Sequence, residues 1–181
     1  MFPTDSLRST NETEVKLLYD DTHIYISAYA KGVDANFMVS SLKRDFSARS
    51  NDNVTVLFDT FRDGQNAFLF GVSAYGVQRE GLVSDRGVTT NGFSLTWDIK
   101  WKAETVRNED SFTIETAIPL NSLKYPEGSQ RWGFSPIGMI CKQTREVLGL
   151  LFLKIKFLSI WDTLENLFLK NLLQKTKHPY I

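Results

Sequence analysis

The chain has 181 residues, 42% hydrophobic and 23% charged, which is the balance of a folded domain with its own core and argues against disorder. Twenty-one basic residues against twenty-one acidic ones leave no global field to draw in nucleic acid or an anionic membrane. Cys141 is the single cysteine and His23 and His178 are the two histidines, so an intrachain disulfide, a thiolate cluster and a His-rich metal site are all excluded.

The opening residues, Met1 to Ser6, lack the basic and apolar regions of a signal peptide. A strand pattern starts almost at once, so the chain is expected to be a fragment of a longer protein. Period-two alternation then runs through most of the first 135 residues. Val15, Leu17 and Tyr19 alternate with Glu14, Lys16 and Leu18. After the turn at Asp20-Asp21, Ile24, Ile26, Ala28 and Ala30 occupy one face, and His23, Tyr25, Ser27 and Tyr29 the other. This predicts an antiparallel pair. Residues 31–53 are more polar, with a short edge strand expected over 37–42. Val54, Val56 and Phe58 open a strand that turns at Phe61-Arg62-Asp63-Gly64 into Phe68, Phe70 and Val72. A break at Tyr75-Gly76 precedes a strand over 77–83, and residues 84–92 read as an exposed loop.

Residues 97–106 are expected to form a strand that pairs with 112–118. Pro119 then opens one helical turn, and Trp132-Gly133-Phe134 begins a further strand. Many short strands with turn signals between them predict an all-β, antiparallel β-sandwich of the jelly-roll or immunoglobulin-like kind. The expected division is a sandwich over 1–140, its first strand missing, and an atypical tail over 141–181. The apolar run from Val147 is broken by Lys154 and Lys156 and is too short to span a bilayer. Leu164, Leu167, Phe168 and Leu172 have helical spacing, so a helix over 163–175 or a distorted strand pair is expected there.

The segment SFTIETAIPLNSL, residues 111–123, resembles the closing hairpin of family 9-like carbohydrate-binding domains, whose pattern is W-x-x-E-x-x-I-P-hydrophobic-x-x-L. TEVKLLYDDTHIYISAYA is similar to that family's opening hairpin, and NDNVTVLFDTFRDGQNAFLFGVSAYGVQREGLV to its central strands. TWDIKW and RWGFSP match the flanking segments, so the resemblance covers roughly residues 13–136. The family's usual first strand is absent, and residues after 140 depart from its pattern. The nearest subgroup is large bacterial cell-envelope proteins with this module ahead of a barrel-like C-terminal region. The resemblance implies a DOMON-like β-sandwich that binds a polysaccharide or oligosaccharide in the cell envelope or outside the cell. It also implies a C-terminal domain of the parent protein as a partner. No nucleic-acid partner and no membrane span are expected within this chain.

Trp97 and Trp101 are the first candidates for a sugar-stacking face, because the C–H-rich face of a sugar packs on a π-system. In a strand, residues four apart share a face, about 13 Å apart at 3.3 Å per residue. Ile99 lies between them, so the expectation is Trp101 in the core and Trp97 at a rim. Tyr75, Gln78 and Arg79 offer hydroxyl, amide and guanidinium groups suited to sugar hydroxyls, against the plainer reading of a solvated strand face. Asp59 and Asp63 flank a tight turn and are the candidate calcium ligands, although Arg62 opposes a cation and a metal-free turn is the expectation. No other cofactor is expected. Glu80 and Glu115 are the carboxylates a glycosidase would use, if they lay across one cleft. No catalytic triad, phosphate loop or zinc motif is present, and catalysis is not expected. The reading is a non-catalytic carbohydrate-binding module. Its alternatives are a structural sandwich packing on a missing C-terminal region, or an accessory module of a glycoside hydrolase.

Overall fold

The computed structural model describes residues 13–32, 36–89, 92–129, 131–140 and 154–157. These form two facing β-sheets. One has the order β10-β1-β2-β8-β7: β1 Thr13–Tyr19, β2 His23–Lys31, β7 Lys102–Arg107, β8 Ser111–Pro119 and β10 Lys154–Phe157. The other has the order β6-β5-β4-β3-β9: β3 Asn53–Asp59, β4 Ala67–Ser73, β5 Gln78–Val83, β6 Phe93–Ser94 and β9 Gly133–Met139. All pairings are antiparallel except that of β10 with β1. The expected all-β sandwich is the fold found. Among the described residues no helix is long and apolar enough to cross a membrane.

Alternation selects the core. On β2, Ile24, Ile26, Ala28 and Ala30 are buried, and their partners on β8 are Ile118, Thr116, Ile114 and Phe112. Facing them from the second sheet are Val54, Val56 and Phe58 of β3 and Phe70 and Val72 of β4. Phe112 and Ile118 are 0% exposed. Burying each contributes on the order of 1.5–3 kcal/mol.

The β1–β2 turn is set by Asp20, whose Oδ1 accepts hydrogen bonds from the Thr22 and His23 N–H groups and the Thr22 hydroxyl. Its Oδ2 accepts one from the Tyr25 hydroxyl at 2.8 Å. Burial pushes the Asp20 carboxyl up, but these hydrogen bonds outweigh it and hold the group well below the usual carboxylate range. The same environment, burial first, then the hydrogen bond to Asp20 and its charge, pushes the Tyr25 hydroxyl up to about 12.

Three expectations are corrected. Residues 37–42 are not an edge strand; they belong to an irregular loop tied down by Asn51 and Asp52, for example through Met38 N–H to Asp52 Oδ2 at 2.8 Å. The strand expected over 97–106 begins only at Lys102, and residues 97–101 lie outside both ladders. The cause is topological. The chain must cross there from β6, at the edge of one sheet, to β7, at the edge of the other, so it runs along the open side between them. The helical turn after Pro119 is a single 3-10 turn, Leu120–Ser122, with Pro119 still the last residue of β8. The helix expected over 163–175 lies outside the described residues.

Candidate functional site

Where the chain crosses between the sheets, side chains from three segments converge. β5 supplies Gln78 and Glu80. Their register against Val72 and Phe70 of β4 turns both toward the interior. Glu80 is fully buried. A charge in that position needs a partner, and Arg44 supplies it from the loop between β2 and β3. Arg44 Nη2 pairs with Glu80 Oε1. The Trp101 indole N–H donates to Glu80 Oε2 at 3.2 Å.

Arg44 and Gln78 then reach the 97–101 segment. Arg44 Nη2 donates to the Ile99 carbonyl at 3.1 Å, and its Nη1 to Gln78 Oε1 at 3.4 Å. Arg44 Nε lies 3.6 Å from Asp98 Oδ1. The Gln78 amide donates to the Trp101 carbonyl at 3.0 Å. Asp45 follows Arg44 with φ +60°, the left-handed region that Asp tolerates better than most residues. This turns the loop so that the Asp45 N–H meets the Gln78 carbonyl at 3.1 Å. Burial raises the Asp45 carboxyl above its ordinary value, against the opposing pull of Arg44.

Trp97 and Trp101 divide as the sequence suggested, although the segment is not a strand. Trp101 is 8% exposed and its ring meets Phe70 edge to face at 5.2 Å. Trp97 is half-buried, against Phe70 at 5.9 Å and Phe68 at 5.1 Å. Between them Ile99 points inward, while Thr96, Asp98 and Lys100 are exposed.

The other candidates are not all brought here. Gln78 is part of the cluster. Arg79, next to it on β5, points to the opposite face of the sheet beside Gly71, and its Nε is buried without a partner among the described residues. Burial lowers the affinity of that guanidinium for its proton, and Asp45 opposes the shift. Tyr75 sits in the β4–β5 turn, under the Arg107 guanidinium at 4.0 Å, and its hydroxyl donates to the Phe37 carbonyl at 3.4 Å.

Asp59 and Asp63 shape the β3–β4 turn. Asp59 accepts from the N–H groups of Asp63 and Gly64, and Asp63 from those of Gln65 and Asn66 and from the Asn66 side chain. Those hydrogen bonds, that of the Asn66 side chain first, lower the Asp63 carboxyl. Among the described residues no group of three or more His, Cys, Asp or Glu could hold a metal ion. Glu80 and Glu115 do not share a cleft. Glu80 points into the sandwich from β5, whereas Glu115, opposite Glu104 and Ser27, points away from it on the outer face of the other sheet.

The sequence reading did not place Arg44, Asp98 or Glu80 in the site. Glu80 does stand in a readable position, two residues from Gln78 and from Leu82 on a period-two strand. The obstacle is that β5 is covered on both faces at this point. Glu80 on one face and Gly81 and Val83 on the other are all buried. Alternation therefore does not tell in from out.

The sequence matches no model of a known protein family, and no curated protein gives a significant match. Among solved structures, a family 9 carbohydrate-binding module from Caldicellulosiruptor kristjanssonii aligns with TM-score 0.49 and 18% identity, in complexes with glucose and with cellotriose. The alignments cover 72% of this chain and 60% and 59% of that one. A protein from Bacteroides uniformis to which carbohydrate binding is provisionally attributed aligns with TM-score 0.55 and 11% identity, over 71% of this chain and 64% of that one. The chain thus spans less than two thirds of the solved structures it matches. The Bacteroides likeness shows the fold: a sandwich of the kind that the sequence resemblance implied.

Proposed function

We propose that the chain is a non-catalytic carbohydrate-binding module, and that its sugar lies against Trp97 at the open side of the sandwich. The observation that carries the reading is the partly buried Trp97, backed by Phe68 and Phe70 and flanked by the exposed residues Thr96, Asp98 and Lys100. A ring held this way offers one fixed apolar face with hydrogen-bonding groups around it, which is what a pyranose needs. Trp101 supports the site from beneath and does not contact the ligand. Such a site binds weakly and serves by concentrating glycan near a linked domain. The setting that goes with this reading is an envelope or secreted bacterial protein whose C-terminal domain does the remaining work. The carboxylate pair weighed for a glycosidase does not share a cleft, since Glu80 points into the sandwich from β5 and Glu115 away from it on β8.

Isothermal titration with soluble mono- and oligosaccharides, including glucose and cellotriose, tests the reading. Binding that disappears in Trp97→Ala and persists in Tyr75→Ala supports the placement. Binding unchanged by Trp97→Ala moves the site elsewhere.

One observation favours a second reading, a structural or interaction sandwich without a sugar site. The polar groups of Gln78, Arg44 and Glu80 are already bonded to one another and to the 97–101 segment. If no member of the panel binds the intact chain, this reading stands.

A further inference from the structure

The 97–101 segment alternates like a strand but has no strand beside it. No main-chain hydrogen bond between described residues holds it. Extended backbone that is not laddered ordinarily frays, because the entropy of fixing each residue, about 1–2 kcal/mol, has nothing local to offset it. Here the fixing is done by side chains from elsewhere. Gln78 holds the Trp101 carbonyl, Arg44 holds the Ile99 carbonyl and the Asp98 carboxylate, and Glu80 holds the Trp101 indole. Glu80 also fixes Arg44, and Gln78 is bonded to Arg44 in turn. Three side chains therefore form one closed unit, and its outputs all land on the segment that carries Trp97.

We infer that Arg44, Gln78 and Glu80 are a positioning clamp for Trp97, with Glu80 at its centre. The inference rests on Trp97 being the ligand-contacting ring. None of the three needs to touch a ligand for the clamp to act; Glu80, fully buried, has no means to. The clamp lowers the ordering cost of binding by fixing the ring before the ligand arrives. It also makes the loop between β2 and β3 part of the site, through the Arg44 side chain and the Asp45 N–H that bonds the Gln78 carbonyl.

Two groups meet the Glu80 carboxylate, Arg44 from the loop and the Trp101 indole from the crossing segment. The nearby charges lie one step away: Asp45 Oδ1 accepts from the Glu80 N–H at 3.5 Å, Asp98 pairs with Arg44, and Arg79 lies on the opposite face. Glu80→Gln keeps the shape and an acceptor for the indole while removing the charge that fixes Arg44. Arg44→Met removes the other half from a loop position that is not part of either sheet, and guards against a Glu80 variant that fails to fold.

The experiment uses the full chain labelled with 15N. The indole signals of Trp97 and Trp101 are assigned by Trp→Phe substitution at each position, and cellotriose is titrated in parallel. In both Glu80→Gln and Arg44→Met, the Trp101 indole proton is expected to exchange with water at least about tenfold faster, since its hydrogen bond is weakened or its cover loosened. The Trp97 signal should shift and broaden, and cellotriose affinity should fall several-fold at a temperature where both variants are still folded, as their sheet amide signals report. Unmoved indole signals in both variants overturn the clamp, whatever the sugar does. Perturbed signals with no cellotriose binding by the unsubstituted chain leave the clamp standing and sink the carbohydrate reading for this probe. Perturbed signals with unchanged cellotriose affinity show that the clamp does not serve the ligand, and overturn its assigned role.

Discussion

β8 and the 97–101 segment carry a similar signature in sequence, large apolar residues at alternate positions broken in β8 only by Thr116, and they are held in opposite ways. β8 is laddered on both sides, by β2 and β7, and its inward residues Phe112, Ile114 and Ile118 lie at or near zero exposure. The 97–101 segment has no ladder and is held by three polar side chains. Alternation in a sequence thus reports which side chains are buried. It does not report what bonds the backbone. The first is a property of packing, shared by any extended chain on a core; the second depends on which strand is free to pair.

The contrast can be broken at its strong end first. Ile118→Ala empties a fully buried site between two ladders and is expected to cost about 4 kcal/mol, read as a large drop in the urea midpoint with the slope retained. Next comes the polar end. Glu80→Ala strands Arg44 and the Trp101 indole N–H around a void and is expected to cost about 3 kcal/mol. The same titration, followed by tryptophan fluorescence, should show a red shift before global unfolding that Ile118→Ala lacks. Equal costs with no such shift would mean that the two segments are held alike.

A smaller effect is expected at the turn that delivers β2 to β8, where the Leu120 N–H also bonds the Thr22 carbonyl at 2.8 Å. Asp20 is held below its ordinary value in the folded chain. Its contribution is therefore fully present above the unfolded value, about 3.9, and is lost as pH falls through the lower folded one. Asp20→Asn should lower the melting temperature near neutral pH, and the gap to the unsubstituted chain should close in strong acid. Tyr25 runs the other way. Its hydroxyl is pushed up to about 12, so its contribution holds below about 10 and fades as pH rises through the folded value. Tyr25→Phe should narrow the difference from the unsubstituted chain only at high pH. The smallest effect is at the β3–β4 turn. Calcium is expected to leave the melting temperature unmoved, because the lone pairs of Asp59 and Asp63 already face N–H groups of their own turn. A calcium-dependent rise would restore that pair as ligands.

Most of the fold was legible because it follows from local chemistry. Ile24 to Ala30 alternates cleanly against a solvated outer face, Asp20 marks its turn, and Pro119 ends β8 where a ladder donor is no longer needed. The division between Trp101 inside and Trp97 at the rim was legible for the same reason, with Ile99 as the guide. What could not be read was the long-range chemistry. Arg44 meets Glu80 across 36 positions of sequence, the difference of their numbers, and Ile99 across 55. Neither partner carries a local pattern that names the other. Tyr75 and Arg79 are not brought to the Arg44–Gln78–Glu80 cluster, for a geometric reason. One lies in the turn under Arg107, and the other faces away because it neighbours Glu80 on the strand.

β7 is the outermost strand of its sheet, next to β8 on one side only. Among the described residues its other side has no strand beside it, and there its N–H and C=O groups face any extended peptide of suitable length. Lys102, Glu104 and Arg107 are spread along its six residues, and the first two point outward on the same face. A second chain that tried to extend the sheet there would have to bring its own side chains against alternating positive and negative charge. The strand that follows the tryptophans directly is in this way an edge whose charges oppose pairing with a copy of itself.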